Sequence, residues 1–443
     1  MMRLSRISEW TGGVLRGADQ DISAVSTDTR QLSAGALFVA LRGERFDGHA
    51  FLQQAREAGA VAALVETDQD VFESQVTVAD SRRGLGLLAA GYAAGFPVPR
   101  VAVTGNAGKT TVKEMIAALL GEGTLATRGN LNNDIGVPLT LLRFDDQVRQ
   151  AVIELGANAP GEIAWTSSLV RPRVVLITNV TGAHLEGFGT MEGIARAKAE
   201  IFTGCEPGAT AVINNDDGFA DFFAGEAARH GLNVVRVGGA DGALRAEEVV
   251  LEDREVRFRL MPQGLPVRVP LAGAHQVQNA LLALGAVNAL GVELADVVDR
   301  WQSLSPVPGR MNLKTLGRGL LVDDTYNANP GSVRVAVRWL ADRPAPRTLV
   351  LGALGELGPG AGDIMRALGE EAARDLDLLI AMPGAEAAAA GFGEGAVLAT
   401  DHDDAAARAG TVLDAGGTVL VKGSRTARME LVVHRLEELK GGH

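Results

Sequence analysis

The sequence predicts an α/β protein of three domains, and three observations carry that reading. The length of 443 residues suits about three domains rather than one. Apolar runs such as VVLITNV (174–180) alternate with helical stretches, and a run without a polar face marks a strand buried on both sides of a parallel sheet. Two proline-bearing joints, GFPVPR (95–100) and SPVPGR (305–310), punctuate the chain. They give an expected small α/β N-terminal domain (1–97), a central domain with a mostly parallel sheet flanked by helices (98–308) and a C-terminal Rossmann-like α/β domain (309–443).

In the first segment, ALFVALRG and AVAALVE read as strands around a helix, a small α/β unit. The apolar stretch LGLLAAGYAAGF (85–96) is short and glycine-broken, which suits a buried helix. The G-x-G in GLGLLAAG (84–91) lacks the rest of a dinucleotide fingerprint. The central segment opens with VAVTG as a strand, followed by a helix from Lys109 to about Leu120. AVIELG (151–156), VVLITNV (174–180) and TAVINND (210–216) continue the parallel sheet, and HQVQNALLALGAVNALG (275–291) is an amphipathic helix ending at glycine. The last segment repeats the pattern with LLVDD (320–324), TLVLGALG (348–355), DLLIAM (377–382) and TVLVKGS (418–424), a second α/β sheet.

Composition narrows the class. Hydrophobic residues make up 47% and charged residues 22% of the chain, the balance of a soluble globular protein. A net charge of −12 argues against nucleic acid as a partner. The start MMRLSRISEWTGG has no apolar signal stretch, and no run approaches the ~20 apolar residues of a membrane helix, so a cytoplasmic protein without membrane insertion is expected. The single Cys205 reads as an ordinary thiol. Six lysines, Lys109, Lys113, Lys198, Lys314, Lys422 and Lys440, stand among 42 basic residues. Lys113, Lys314 and Lys440 read as remnants of an arginine-biased composition.

The stretch VAVTGNAGKTTVKEM (101–115) carries the clearest chemistry. Gly105 and Gly108 allow backbone N–H groups to face phosphate oxygens, and the following helix adds its positive end. Lys109 suits the outer phosphates and the Thr110 hydroxyl suits Mg²⁺, so this is a P-loop shortened by two residues. Glu154 ends a buried strand, where a carboxylate is costly unless paired or metal-bound. His184 follows another strand end, where a neutral imidazole can ligate a cation. Asp323 and Asp324 close a strand beyond the second joint. Lys422, Ser424 and Arg425 sit at a strand-to-helix turn that suits a carboxylate or another anion. Lys198, between Arg196 and Glu200 on an expected helix, reads by itself as part of a solvated charged face.

Together these segments resemble the Mur ligase family over nearly the whole chain. TGNAGKTT is similar to the family's short loop, and GALFVALRGERFDGHAF (35–51), GNLNNDIGVPLTLL (129–142), ITNVTGAHLEGFGTMEGIARAKAEIF (177–202) and VDDTYNANPGS (322–332) are similar to its longer motifs. The resemblance implies an ATP-dependent amide ligase of peptidoglycan precursor synthesis, with UDP-N-acetylmuramoyl-tripeptide, D-alanyl-D-alanine and ATP as substrates and a monomer as the expected state. It implies a Lys198 carbamate near Mg²⁺, and Thr110, Glu154 and His184 as metal ligands, with Lys109, Lys198, Glu154 and His184 as the catalytic set. The nucleotide would meet Gly105, Asn106, Ala107, Gly108, Lys109, Thr110, Thr111, Asn279, Arg310, Asp324 and Tyr326. The UDP-sugar end would meet Ser26, Thr27, Asp28, Arg30, Arg45, Phe46 and Asp47. Asn132, Asn133, Asn327 and Asn329, with Lys422, Ser424 and Arg425, would line the acceptor side. Ala107 stands where the family usually has asparagine, Ala353 where it has aspartate, and Met365 where a histidine is expected.

The implied chemistry is stepwise: the tripeptide carboxylate takes the γ-phosphoryl group of ATP, and the dipeptide amine then displaces phosphate from the acyl phosphate. Two alternatives stay open from the sequence, a sibling ligase adding another amino acid or dipeptide and a P-loop NTPase switch without acyl transfer. The switch leaves ERFDGH, NNDIG and KGSR unexplained.

Overall fold

A computed structural model of the chain describes residues 2–43, 46–181 and 185–441. Its largest elements are two six-stranded sheets. The central one runs Asn233–Val237, Thr210–Asn214, Val174–Ile177, Arg100–Thr104, Gln150–Glu154, Thr124–Ala126, and every pairing is parallel. Strand alternation divides its apolar side chains between two cores. Val101, Val103, Leu176 and Val212 pack with the helices Lys109–Leu120 and His275–Ala289. Ala102, Ile153, Val175 and Ile213 face the opposite layer. Both faces are covered, which is why these strands read as unbroken apolar runs.

The C-terminal sheet runs Asn312–Leu316, Gly319–Asp324, Thr418–Lys422, Arg347–Leu351, Leu378–Ala381, Ala396–Leu398, parallel except for its first, antiparallel edge strand. The N-terminal unit holds a five-stranded sheet in the order Val14–Arg16, Gln75–Thr77, Ala60–Val65, Ala36–Val39, Val25–Ser26. The stretch expected to be a buried helix forms Ser81–Ala93, with Leu85, Leu88 and Ala89 fully buried.

Several features depart from the sequence reading. The central segment is more than alternating strands and helices: Arg245–Leu251, Val256–Met261 and Leu265–Val269 form a three-stranded antiparallel sheet. Its middle strand alternates buried Val256, Phe258 and Leu260 with exposed arginines, the period-two pattern of a one-sided strand. The lysines set aside as compositional remnants are all engaged. Lys113 is buried and donates to the Thr127 carbonyl at 2.6 Å and to Glu114 at 2.5 Å. Lys314 pairs with Glu437 and Lys440 with Asp414. Lys198 also departs, being buried rather than part of a solvated face.

At the first joint Arg100 is buried and donates to the carbonyls of Ala93, Phe96 and Val170, with its guanidinium over the Phe144 ring. Cys205 is half-buried and burial pushes its thiol up to about 12, which suits the ordinary role expected of it. Among the described residues no single helix is long and apolar enough to cross a membrane.

Candidate active site

Adjacent strands of the central sheet end side by side and bring their polar termini together. Arg100–Thr104 leads into the short loop and Gln150–Glu154 ends at its carboxylate, in parallel register. Gly105 and Gly108 take φ of 140° and 80°, values that L side chains rarely adopt. A Cβ on Gly108 would lie 2.8 Å from Asn279 Oδ1, so the loop packs directly onto the His275–Ala289 helix. Asn279 itself donates to Gln276.

Thr110, in the first turn of the loop helix, donates to Glu154 Oε2 at 2.7 Å, and Asn132 Nδ2 donates to Glu154 Oε1 at 2.8 Å. The carboxylate is 3% exposed, and these two bonds meet the requirement that a buried carboxylate be partnered. Arg310, beyond the second joint, donates from Nη2 to Thr110 Oγ1 at 2.8 Å and lies over the Tyr326 ring. Gly309, at φ 71°, allows this close approach, because a Cβ there would meet the Tyr326 backbone at 2.9 Å. Thr111, Gln276 and Arg310 line one cleft.

Two buried lysine amines lie near each other here. Lys109 Nζ donates to the Gly105 carbonyl at 2.9 Å. Burial lowers its pKa, with Glu154 opposing the shift and Arg310 adding to it. Lys198, on the Met191–Ala199 helix, is 1% exposed. Burial, reinforced by the Lys109 charge, brings its amine down to about 7.

The oxygens of Thr110 and Glu154 are hard donors of the kind Mg²⁺ takes. Among the described residues no group of three histidine, cysteine or acidic side chains could hold a metal by itself. His184, the third expected ligand, and Arg45 lie outside the described residues. Two buried polar atoms near the centre have no hydrogen-bond partner among the described residues, Arg310 Nε and Thr181 Oγ1. Unspent donors of this kind, with the glycine-built loop, fit a nucleotide phosphate and its cation.

The remaining expected residues sit around this centre or in the N-terminal unit. Asn133 Oδ1 accepts the Gly136 N–H at the start of the Gly136–Leu141 helix. Asp134, beside it, is gripped by Arg82 of the N-terminal unit at 2.9 Å. Ser26 binds the Asp28 backbone, Thr27 follows it, and Asp28 holds Arg30 with both carboxylate oxygens. Asp47 accepts from His49 and Arg42, and the His49 contacts hold it down to about 2. Phe46 is exposed and stacks on Phe51 with centroids 5.3 Å apart.

On the C-terminal side, Asn329 caps the Pro330–Ala341 helix with a capping box. Asn327 accepts from the Arg425 N–H. Lys422 is 2% exposed and its amine is bonded to Asp324 at 2.6 Å and to the Asn327 carbonyl. Its charge is thus committed, unlike that of a free anion cradle, and Arg425 is the exposed cation of the turn, paired with Glu430. Ser424 bonds Thr426. Met365 lies in the C-terminal core, where a histidine would meet apolar neighbours. Ala353 faces Gly384 at close range.

Sequence reasoning overlooked Thr178 and Asn179. The available signal was the polar pair Thr178–Asn179 at the end of the apolar run that precedes His184.

A glycine-built loop opening a helix at the carboxyl ends of a parallel sheet, met by an arginine from the next sheet's approach, defines a P-loop nucleotide-binding α/β protein. Family models agree: the Mur ligase middle domain matches residues 103–287, the Mur ligase glutamate ligase domain 309–425, and the Mur ligase family catalytic domain 21–110. The UDP-N-acetylmuramoyl-tripeptide–D-alanyl-D-alanine ligase of Escherichia coli (strain K12) is 42% identical, covering 98% of each chain. A crystal structure of MurF from Acinetobacter baumannii superposes with a TM-score of 0.93 at 36% identity, covering 98% of both chains. The Thermotoga maritima MurF ligase in complex with ADP gives 0.82 at 30% identity over 94% of this chain and 97% of that one. This chain belongs to the Mur ligase family and is an ATP-dependent ligase of the three-domain α/β architecture.

Proposed function

We propose that the chain joins D-alanyl-D-alanine to the free carboxylate of UDP-N-acetylmuramoyl-tripeptide, with ATP converted to ADP and phosphate by way of an acyl phosphate, in peptidoglycan precursor synthesis. The observation that carries this reading is the convergence of Thr110, Glu154 and Arg310. The relatives named above, which carry that activity in their names, supply the identity of the substrates. The domain limits 1–97, 98–308 and 309–443, a monomeric state and a cytoplasmic location belong to the same proposal.

In this mechanism a tripeptide carboxylate oxygen attacks the γ-phosphorus and the bond to ADP breaks. The dipeptide amine then attacks the acyl carbon, phosphate departs and the amine loses its proton. Lys109 and Arg310 place positive charge where the transferred phosphoryl group gathers negative charge. Glu154, Thr110 and His184 would hold Mg²⁺, which supplies charge neutralisation at the outer phosphates. Lys198 would act as a carbamate, formed from its amine and CO₂ with release of a proton. Support comes from its burial and its lowered amine pKa, since a neutral amine is the form that attacks CO₂. Asn132 orients Glu154, and a C-terminal domain closing over the centre would keep water from the acyl phosphate.

Phosphate release with purified UDP-muramoyl-tripeptide tests the proposal, with D-alanyl-D-alanine present or omitted. Release that depends on both substrates is expected. Turnover indifferent to the dipeptide would leave an NTPase, and turnover with a single amino acid in its place would leave a sibling ligase. A ¹³C-carbamate signal after labelling with ¹³CO₂ should vanish in Lys198→Ala, and short carboxylates should partly restore that variant's ligation. Absence of the signal in the parent protein removes the carbamate.

A further inference from the structure

The loop residue Ala107 is held from one side by side chains outside the phosphate-loop motif. Asn179 Oδ1 accepts the Ala107 N–H at 3.0 Å, and Asn179 Nδ2 donates to the Ala107 carbonyl at 3.1 Å. One carboxamide therefore closes a two-point bridge on one loop residue. Thr178 Oγ1 donates to the same carbonyl at 2.5 Å, and the Asn106 N–H donates to the Asn179 carbonyl at 3.1 Å. Thr178 Oγ1 also occupies the position a Cβ on Gly105 would take, 2.0 Å away. Glycine at 105 is thus required by Thr178 as well as by its backbone angle.

The clamp is anchored behind. Thr178 and Asn179 follow the Val174–Ile177 strand, which pairs with the loop's own strand. Asn214 Nδ2 donates to the Thr178 carbonyl at 2.7 Å, and Gln278 Nε2 donates to Asn214 Oδ1 at 2.6 Å. Gln278 neighbours Asn279, whose carboxamide abuts Gly108. The Val180 N–H is taken by Asp217. A chain of polar contacts thus connects the loop's outer turn to the helix beneath its second glycine.

We infer that Asn179, supported by Thr178, is a positioning residue for nucleotide binding: it fixes the Asn106–Ala107 turn so that the N–H groups from Gly108 onward form the phosphate cradle. With the N–H groups of Asn106 and Ala107 spent on Asn179, the anion falls to the helix N-terminus and Lys109. The clamp holds the backbone whatever side chain residue 107 carries, so alanine suffices there. This inference rests on the nucleotide-binding part of the proposed function and is independent of which acceptor is ligated.

The test measures ADP affinity by calorimetry at saturating Mg²⁺, with UDP-muramoyl-tripeptide affinity and thermal melting as companions. Asn179→Ala loses both side-chain hydrogen bonds to Ala107, so ADP affinity should fall roughly ten- to a hundredfold, with affinity for the UDP substrate unchanged. Thr178→Val should weaken ADP binding less, and Thr178→Ser, which keeps the hydroxyl, should restore it. The Thr178 pair carries the test if Asn179→Ala fails to fold. Parent-like ADP affinity in a folded Asn179→Ala overturns the inference, as does an equal loss of affinity for both ligands. So would Thr178→Ser binding ADP as weakly as Thr178→Val. A parent protein that binds ADP yet forms no amide would end the ligase reading and leave this one standing.

Discussion

The central and C-terminal sheets share a parallel architecture and both end strands in charged side chains, yet they treat those charges differently. Around the central strand ends, burial and the Lys109 charge lower the Lys198 amine, and Arg310 keeps a buried Nε without a partner among the described residues. At the C-terminal strand ends, Lys422 and Asp324 from adjacent paired strands close on each other at 2.6 Å. Asp323 is taken by Thr325. One sheet holds cations with bonding capacity to spare, which suits an incoming polyphosphate. The other settles its charges internally, which suits a structural ion pair. A buried ion pair and a binding site are thus distinguished by whether the charges are satisfied, more than by which residues are present.

The comparison can be broken at several points. Lys422→Met leaves the largely covered Asp324 carboxylate without its cation and should destabilise the C-terminal unit by up to about 3–5 kcal/mol. Denaturant melts should show much of that returning in the Asp324→Asn, Lys422→Met double variant. If the single variant melts like the parent, the C-terminal pair is not structural.

Lys109→Ala should do the reverse, lowering ligation by roughly 10²–10³-fold while leaving the melting temperature at or above the parent value. Removing a buried cation next to Lys198 relieves repulsion instead of creating it. Near-parent ligation would remove Lys109 from the phosphate site.

Lys198 sharpens the comparison through pH. Its amine is lowered in the folded protein to about 7 from an ordinary 10.5, so between those values the unfolded chain binds more protons. Stability of the unmodified protein should therefore rise with pH across that window, its deficit being complete below about pH 7. Measured in CO₂-free buffer, the slope should diminish in Lys198→Met. An unchanged slope would show that Lys198 is not the group responsible.

The smallest effect is expected at Arg425. It is exposed and already paired with Glu430, and an exposed charge contact is worth about 0.2–1 kcal/mol. Arg425→Ala should raise the dipeptide KM by no more than about fivefold, with the KM for ATP unmoved. Steady-state kinetics with each substrate varied in turn would reveal it, and unaltered values for all three would end its role in substrate binding.

Much of the fold was legible because its signals are local. The run VAVTG, the two glycines and the following Lys109–Leu120 helix belong to one stretch, and burial on both faces makes a parallel strand visible as a continuous apolar word. The antiparallel sheet over 245–269 went unread although VRFRLM alternates with period two, because three short strands among helices resemble loops. In the site, Glu154 was legible from its strand-end position. The importance of Lys198 came from resemblance, since its neighbours in sequence are charged and look solvated.

The sequence by itself determined the phosphate loop, the two parallel sheets and the family, since periodicity and turn chemistry are encoded within ten or fifteen residues. The tertiary structure alone decided which charges are free and which are spent. Arg310 reaches Thr110 across 200 residues of sequence, Lys422 meets Asp324 across 98, and Asn179 clamps Ala107 across 72. The last two pairings follow from strand order: the Arg100–Thr104 strand lies between those ending at Glu154 and at Ile177, and the Gly319–Asp324 strand lies beside Thr418–Lys422. Strand order is set by how whole layers pack, a property of all the apolar faces together. No single motif carries it, so Lys422 read as an anion cradle and Asn179 passed unnoticed until neighbouring strand ends were brought side by side.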